Sequence, residues 1–150
     1  MKKAFRHLLA TLLALAMVCA LAAPVFAEHS DLHNHRFEIY QIFKGDVSTK
    51  GGKNIISNVT WGKNIDGSTI LDKLTQDPTI GSNFSTCSDA KDVVDVITTN
   101  GWTDSDDKMI ALARFFCNNT SGSPSTSTGK TVTFGEDGYY LIVDPTAGND

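Results

Sequence analysis

The sequence predicts an α+β domain: a small antiparallel β-sheet or sandwich with a helical insertion between its N- and C-terminal strands. Three observations lead there. Runs rich in β-formers occur early (37–43 and 55–61) and late (131–134 and 139–144) in the chain. Helical spacing of apolar residues dominates between them, and Gly, Pro, Asn, Asp or Ser punctuates the boundaries. Strands at both ends with helices between them pack most simply as helices laid across one sheet.

The chain opens on a basic stretch carrying Lys2, Lys3 and Arg6, followed by a Leu- and Ala-rich apolar run over 8–23 and then Pro24-Val25-Phe26-Ala27. Small or β-branched residues stand at the third and first positions before Glu28. This is the layout of a bacterial secretory signal cleaved between Ala27 and Glu28. The apolar run is shorter than the roughly 18–20 residues a spanning helix needs, and the chain turns polar at once, so no membrane association is expected after cleavage. Cys19 follows Val18 rather than a small residue, which argues against a lipid-anchor signal. Residues 1–27 are therefore excluded from the fold, 28–36 form a polar arm, and 37–150 form the domain.

Cleavage changes the charge. All 17 acidic residues lie after Ala27, and three of the 13 basic ones lie before it, so the mature chain carries −7 against −4 for the precursor. Such a surface keeps an exported protein soluble and disfavours nucleic acid or anionic lipid as partner. Two cysteines survive, Cys87 and Cys117. In an oxidising compartment a disulfide between them would stabilise by roughly 3–4 kcal/mol. Their apolar neighbours favour two buried thiols equally well, and geometry decides between the two.

Along the mature chain, Phe37-Glu38-Ile39-Tyr40-Gln41-Ile42-Phe43 reads as a strand ending at the turn residues Lys44-Gly45-Asp46. Gly51-Gly52 marks a loop before a second strand over 55–61 that stops at Gly62. A short helix over 68–74 places Ile70, Leu71 and Leu74 on one side. Ser88 caps a helix with Val93, Val94 and Ile97 on its apolar face, stopping near Asn100-Gly101. Thr103-Asp104-Ser105-Asp106 offers a further N-cap, with acids that complement the helix dipole. Met109, Ile110, Leu112, Ala113 and Phe116 continue that helix. Residues 122–129 are Ser-, Thr-, Gly- and Pro-rich and read as an unordered loop. Thr131-Val132-Thr133-Phe134, a Gly135-Glu136-Asp137-Gly138 turn and 139–144 then read as a β-hairpin. Its last strand is too apolar for a bare sheet edge, which points to a C-terminally incomplete domain.

Chemistry-bearing constellations are few. His29, His33 and His35, with Glu28 and Asp31, supply zinc-type ligands, but helical His-x-x-x-His spacing is absent and a flexible polar arm is the simpler reading. Every mature histidine lies in that arm, and no Gly-x-Ser-x-Gly elbow occurs, which disfavours a Ser or Cys hydrolase. No pair of acids is singled out for glycosidase chemistry. Lys50-Gly51-Gly52-Lys53 lacks the spacing of a phosphate loop. Asn58, Asn83 and Asn118 stand in short glycosylation-type triplets that read as chance matches. No cofactor and no enzymatic activity are expected. Of Tyr40, Trp61, Tyr139 and Tyr140, at most one of the adjacent tyrosines can face a ligand, and core packing is the default for these rings.

Four blocks in this order resemble one family: Tyr40-Gln41-Ile42-Phe43-Lys44-Gly45-Asp46; Asn58-Val59-Thr60-Trp61-Gly62; Phe84 and Cys87 ahead of Ala90-Lys91-Asp92-Val93; and Gly138-Tyr139-Tyr140-Leu141-Ile142-Val143-Asp144. The chain looks like the N-terminal domain of Gram-positive, sortase-assembled pilin subunits, over roughly 35–144. The resemblance implies a non-enzymatic fimbrial protein at the cell wall or cell surface, with adhesion as its role. Its implied partners are other pilin subunits and a sortase when full length, and a host-surface ligand. It also implies the internal Lys–Asn bonds of the family's later domains, which need a buried lysine beside a protonated acid. Here the departures are plain: no Leu-Pro-x-Thr-Gly motif, no apolar or basic tail and no pilin lysine motif. Lys44 and Glu38 are present, but no Asn stands in the last strand, so an internal bond is not expected. The alternative is a stand-alone secreted module binding a host or carbohydrate ligand.

Export with cleavage predicts that the secreted protein begins at Glu28. N-terminal sequencing of material from the culture medium or cell wall checks it; a protein still beginning at Met1 would contradict a cleaved signal.

Overall fold

The computed structural model describes residues 36–50, 53–128, 132 and 134–145; the signal segment and the histidine-bearing arm lie outside them. The elements in chain order are β1 (Arg36–Lys50), β2 (Lys53–Trp61), α1 (Ile70–Thr75), a 3-10 turn (Gly81–Phe84), α2 (Ala90–Asn100), α3 (Asp107–Cys117), β3 (Ser125–Thr128) and β4 (Gly138–Val143). The sheet is antiparallel and four-stranded, with the helices inserted between β2 and β3. This is the expected α+β class.

β1 organises the sheet. Its C-terminal half pairs with β2 from Phe43↔Trp61 to Lys50↔Lys53, and its first four residues pair with β3 from Arg36↔Thr128 to Ile39↔Ser125. β4 pairs from Glu38↔Val143 to Lys44↔Gly138. Because residues 38–39 and 43–44 pair with β4 as well as with β3 or β2, β4 must occupy one edge of β1. β2 and β3 then share the other edge, end to end. That leaves a gap along β1 at residues 40–42, where backbone groups need partners.

The segment leaving β2 fills the gap. Gly62 N–H donates to the Ile42 carbonyl (2.8 Å) and Asn64 N–H to that of Gln41 (3.3 Å). Gln41 N–H in turn donates to Asn64 Oδ1 (2.8 Å). This approach is so close that a Cβ at Gly62 would lie 2.3 Å from the Gln41 carbonyl oxygen, so only glycine fits there. Asn64, 2% exposed, also reaches forward: its Nδ2 donates to the carbonyls of Ser121 and Ser123, and its own carbonyl accepts from Ser121 N–H (2.7 Å). One asparagine thus joins β1, the exit of β2 and the entry to β3.

Several expectations are corrected here. The strand does not end at Lys44-Gly45-Asp46 but runs on to Lys50. Lys44↔Thr60 and Asp46↔Ser57 enclose an extra β2 residue, and Asn58 there adopts φ 52°, a left-handed conformation asparagine tolerates. Gly45 faces this bulge, where an added Cβ would sit 2.7 Å from Ile56. Residues 125–128, expected as loop, form β3; none of them is a strong apolar β signal, and backbone pairing to β1 makes the strand. β4, expected as half of a hairpin with 131–134, pairs with β1; of that expected partner strand Val132 and Phe134 lie in no strand, and 131 and 133 lie outside the described residues. Asp89, not Ser88, caps α2, its side chain accepting from Asp92 N–H. Ser88 instead donates to Asp92 Oδ2 through both its N–H (2.8 Å) and its hydroxyl (2.7 Å). The helix does end at Asn100, with Gly101 left-handed (φ 63°) beyond it.

The core lies between one sheet face and the helices. A second bulge, with Ile42 extra between Gln41↔Tyr140 and Phe43↔Tyr139, turns Ile42 and Phe43 toward the same core. Phe43, 1% exposed, stacks on Trp61 (5.3 Å) and meets Phe116 edge-on (5.7 Å) and Tyr139 at 6.0 Å. Phe84 and Trp102 form a second aromatic contact at 5.8 Å. Truncating a ring such as Phe43 to Ala costs about 3–5 kcal/mol, several times the net value of an average hydrogen bond.

Asn64→Ala leaves the buried Gln41 N–H unpartnered and removes the part-buried bonds to the Ser121 and Ser123 carbonyls, so stability should fall by about 2–3 kcal/mol. Asn118→Ala, at an exposed side chain, should stay within about 0.5 kcal/mol of the parent. Urea midpoints compare the two, and equal midpoints would remove Asn64 from this role.

Candidate functional site

The residues singled out for chemistry are scattered by the fold. Glu28, His29, Asp31, His33 and His35, together with the Ala27–Glu28 cleavage position, lie outside the described residues. Among the described residues, no group of three or more His, Cys, Asp or Glu is placed to hold a metal ion. Cys87 follows the 3-10 turn and Cys117 ends α3. Both are half-buried thiols packed against the core, without a disulfide between them.

Lys44 stands exposed and pairs with Glu136 (Nζ–Oε2 3.3 Å), while Glu38 accepts from the Tyr40 hydroxyl (2.9 Å). An exposed, ion-paired lysine is not the buried amine beside an acid that an internal bond needs. The buried asparagine, Asn64, has its amide fully engaged in the strand junction. Among the described side chains no lysine is buried, so the Lys–acid–Asn arrangement of an internal bond is not assembled from them.

The aromatic residues divide as alternation requires. Tyr139 faces the core against Phe43, and Tyr140 faces the other way, tilted at 46° against Phe134 with the ring centroids 4.6 Å apart. The Tyr140 hydroxyl donates to the Glu136 carbonyl (2.6 Å) and accepts from Gln41 Nε2 (3.2 Å). Burial first, and then the Glu38 carboxylate that accepts its hydroxyl, push the Tyr40 phenol up to about 12. Burial likewise holds Tyr139 well above the ordinary tyrosine value. These rings are structural. The gap beside Phe43, Met109 and Leu112 is about 10 Å³, room for one water and no ligand.

A different concavity is large enough to hold a molecule. A groove of about 230 Å³ opens between the turn after α1 and the end of α3, lined by Asp77, Thr79, Arg114, Phe115, Asn118 and Asn119 among others. Helical periodicity explains the layout: Arg114 and Asn118 are four apart on α3 and its cap, so they share a face, and Phe115 is buried beside them. Asp77 Oδ1 accepts from the N–H groups of Thr79 and Ile80, which fixes the opposite wall. None of these residues was legible as a site. Asn118-Asn119-Thr120 reads as a chance triplet; an Asn pair directly after an apolar helix is the one signal that could have marked the place.

Burial, and then the nearby Asp92, Asp89 and Asp95 carboxylates, raise the Cys87 thiol from the usual 9.0 to about 11. The folded chain therefore holds Cys87 and Tyr40 protonated beyond the pH at which the unfolded chain releases them. Their contribution to stability is complete below about pH 9 and is lost as pH rises through about 11 and 12. At pH 8 the Cys87 peptide should be alkylated about 100-fold more slowly in native protein than in urea, by mass-resolved iodoacetamide labelling. Equal rates would show an ordinary, accessible thiol.

No protein-family model, no curated protein and no solved structure matches the chain.

Proposed function

We propose that this chain is an exported, non-enzymatic surface protein of the sortase-assembled pilin type, an N-terminal-like subunit domain that serves assembly and adhesion at the cell wall. One observation carries the reading. The blocks that resemble that family are hydrogen-bonded neighbours in the fold: Tyr40 to Asp46 lies at the centre of β1, flanked by Asn58 to Trp61 through Phe43↔Trp61 and by Gly138 to Val143 through Gln41↔Tyr140. The third block lies below them, with Phe84, Ala90 and Val93 in the same core. The blocks that carry the resemblance therefore belong to one structural unit, which supports the reading.

The second reading, a secreted binding module acting by itself, draws on the groove at the end of α3. The two readings differ in covalent state. Cell wall released by muramidase, boiled in SDS and probed with antibody to residues 28–150, should give a high-mass ladder for a pilin-type subunit. A single low-mass band in the culture medium would overturn the assembly reading and leave the secreted module.

A further inference from the structure

We infer that the groove between the turn after α1 and the end of α3 is a binding site for a neutral saccharide, recognised through vicinal hydroxyl groups. This deepens the adhesive side of the proposed function and does not rest on covalent assembly.

The inference starts from polar groups left without partners. Among the described residues the Arg114 guanidinium has no hydrogen-bond or ion-pair partner, although the chain has an excess of acids and Asp77 lines the same groove. Asp77 uses Oδ1 for its own turn, and its Oδ2 has no partner among the described residues. Among the described residues the Asn118 amide and the Thr79 hydroxyl have no side-chain bond, and Asn119 uses its Nδ2 on the Phe115 carbonyl (2.8 Å). Donors and acceptors thus converge on one concavity from two elements that are held apart by packing.

The chemistry of this set selects the ligand. A carboxylate or phosphate would meet Asp77 and the negative end of the α3 dipole as well as Arg114, and an ammonium would meet Arg114; neither charge is favoured. A hydroxyl group both donates and accepts, so a pair of neighbouring hydroxyls satisfies guanidinium, carboxylate and amide together. Phe115 and Ala111 supply a small apolar floor against which the C–H face of a sugar ring can pack. The mostly polar lining disfavours an apolar peptide. At about 230 Å³ the groove is smaller than the roughly 300–1,000 Å³ of drug-sized sites, which suits one sugar residue at a chain end.

The test is titration of the full-length, ¹⁵N-labelled protein with glucose, galactose, mannose and N-acetylglucosamine, followed by NMR. At least one sugar should shift the Asn118 and Asn119 side-chain amides and the Arg114 Nε–H in a saturable way. Arg114→Ala and Asn118→Ala, both at exposed positions, should each weaken binding about 10-fold, while Lys44→Ala leaves it unchanged. Saturable shifts elsewhere, binding insensitive to both substitutions, or response only to sialic acid or to peptides would each overturn the inference. So would no shift with any sugar. A ladder-negative protein that still binds sugar would remove the assembly reading and keep this one; a ladder-positive protein that binds none would do the reverse.

Discussion

The middle of β1 is where the fold is decided. Two strands lie end to end along one of its edges, β3 against 36–39 and β2 from 43 onward, and leave 40–42 between them without a strand on that side. Unpaired backbone groups in a buried gap cost about 1–3 kcal/mol each, so the gap at residues 40–42 must be closed by something other than a strand. The Gly62–Asn64 junction does this, with Gly62 allowing contact and Asn64 substituting a side-chain amide for missing backbone. Gln41, 1% exposed, completes the arrangement: its Oε1 accepts from Lys63 N–H and its Nε2 donates toward Asp137 and Tyr140. Two uncharged amides thereby connect all four strands. Either residue replaced by an apolar one of similar volume would leave several groups of other residues unsatisfied, so the cost spreads beyond the altered side chain.

Around that polar centre the core is ordinary hydrophobic packing. Two bulges serve it. One brings Ile42 and Phe43 to the same side, and the other lets Gly45 pass close to Ile56, so β1 bends over the helices rather than running flat. Phe43 then becomes the common contact of a strand partner, Trp61, a helix residue, Phe116, and a residue of the opposite edge strand, Tyr139. The helices cover the sheet because α2 and α3 each present one buried stripe, Val93 and Val94 on the first and Met109, Leu112 and Phe116 on the second.

The same packing leaves the groove open. α3 spends its apolar face on the core, and the turn after α1 is held by Asp77 bonding its own backbone, so neither element is free to collapse onto the other. The polar ends facing the groove remain available to solvent or ligand. This separates two kinds of polar residue in one small protein. Gln41 and Asn64 are buried and fully engaged, which is structural work, whereas Arg114, Asn118 and Thr79 are exposed and have no side-chain partner among the described residues.

The sequence by itself determined the α+β class, the three helices and the two apolar strands that form β1 and β4. Their periodicity and caps are local properties, set by neighbours within a few residues: Val93, Val94 and Ile97 define α2, and Gly101 ends it. What only the tertiary structure decided is non-local. β3 is made of Ser and Thr with no strand signal of its own, and exists because β1 offers it a backbone edge. β4 resembles half of a hairpin by proximity, yet pairs with a strand about a hundred residues earlier, since Phe43 and Tyr139 share one core. Lys44-Gly45-Asp46 resembles a turn but is a strand crossing a bulge. The groove was illegible for the same reason: Asp77 and Arg114 are separated in sequence and carry no common motif, and only the packing of α3 beside the turn after α1 sets them around one space.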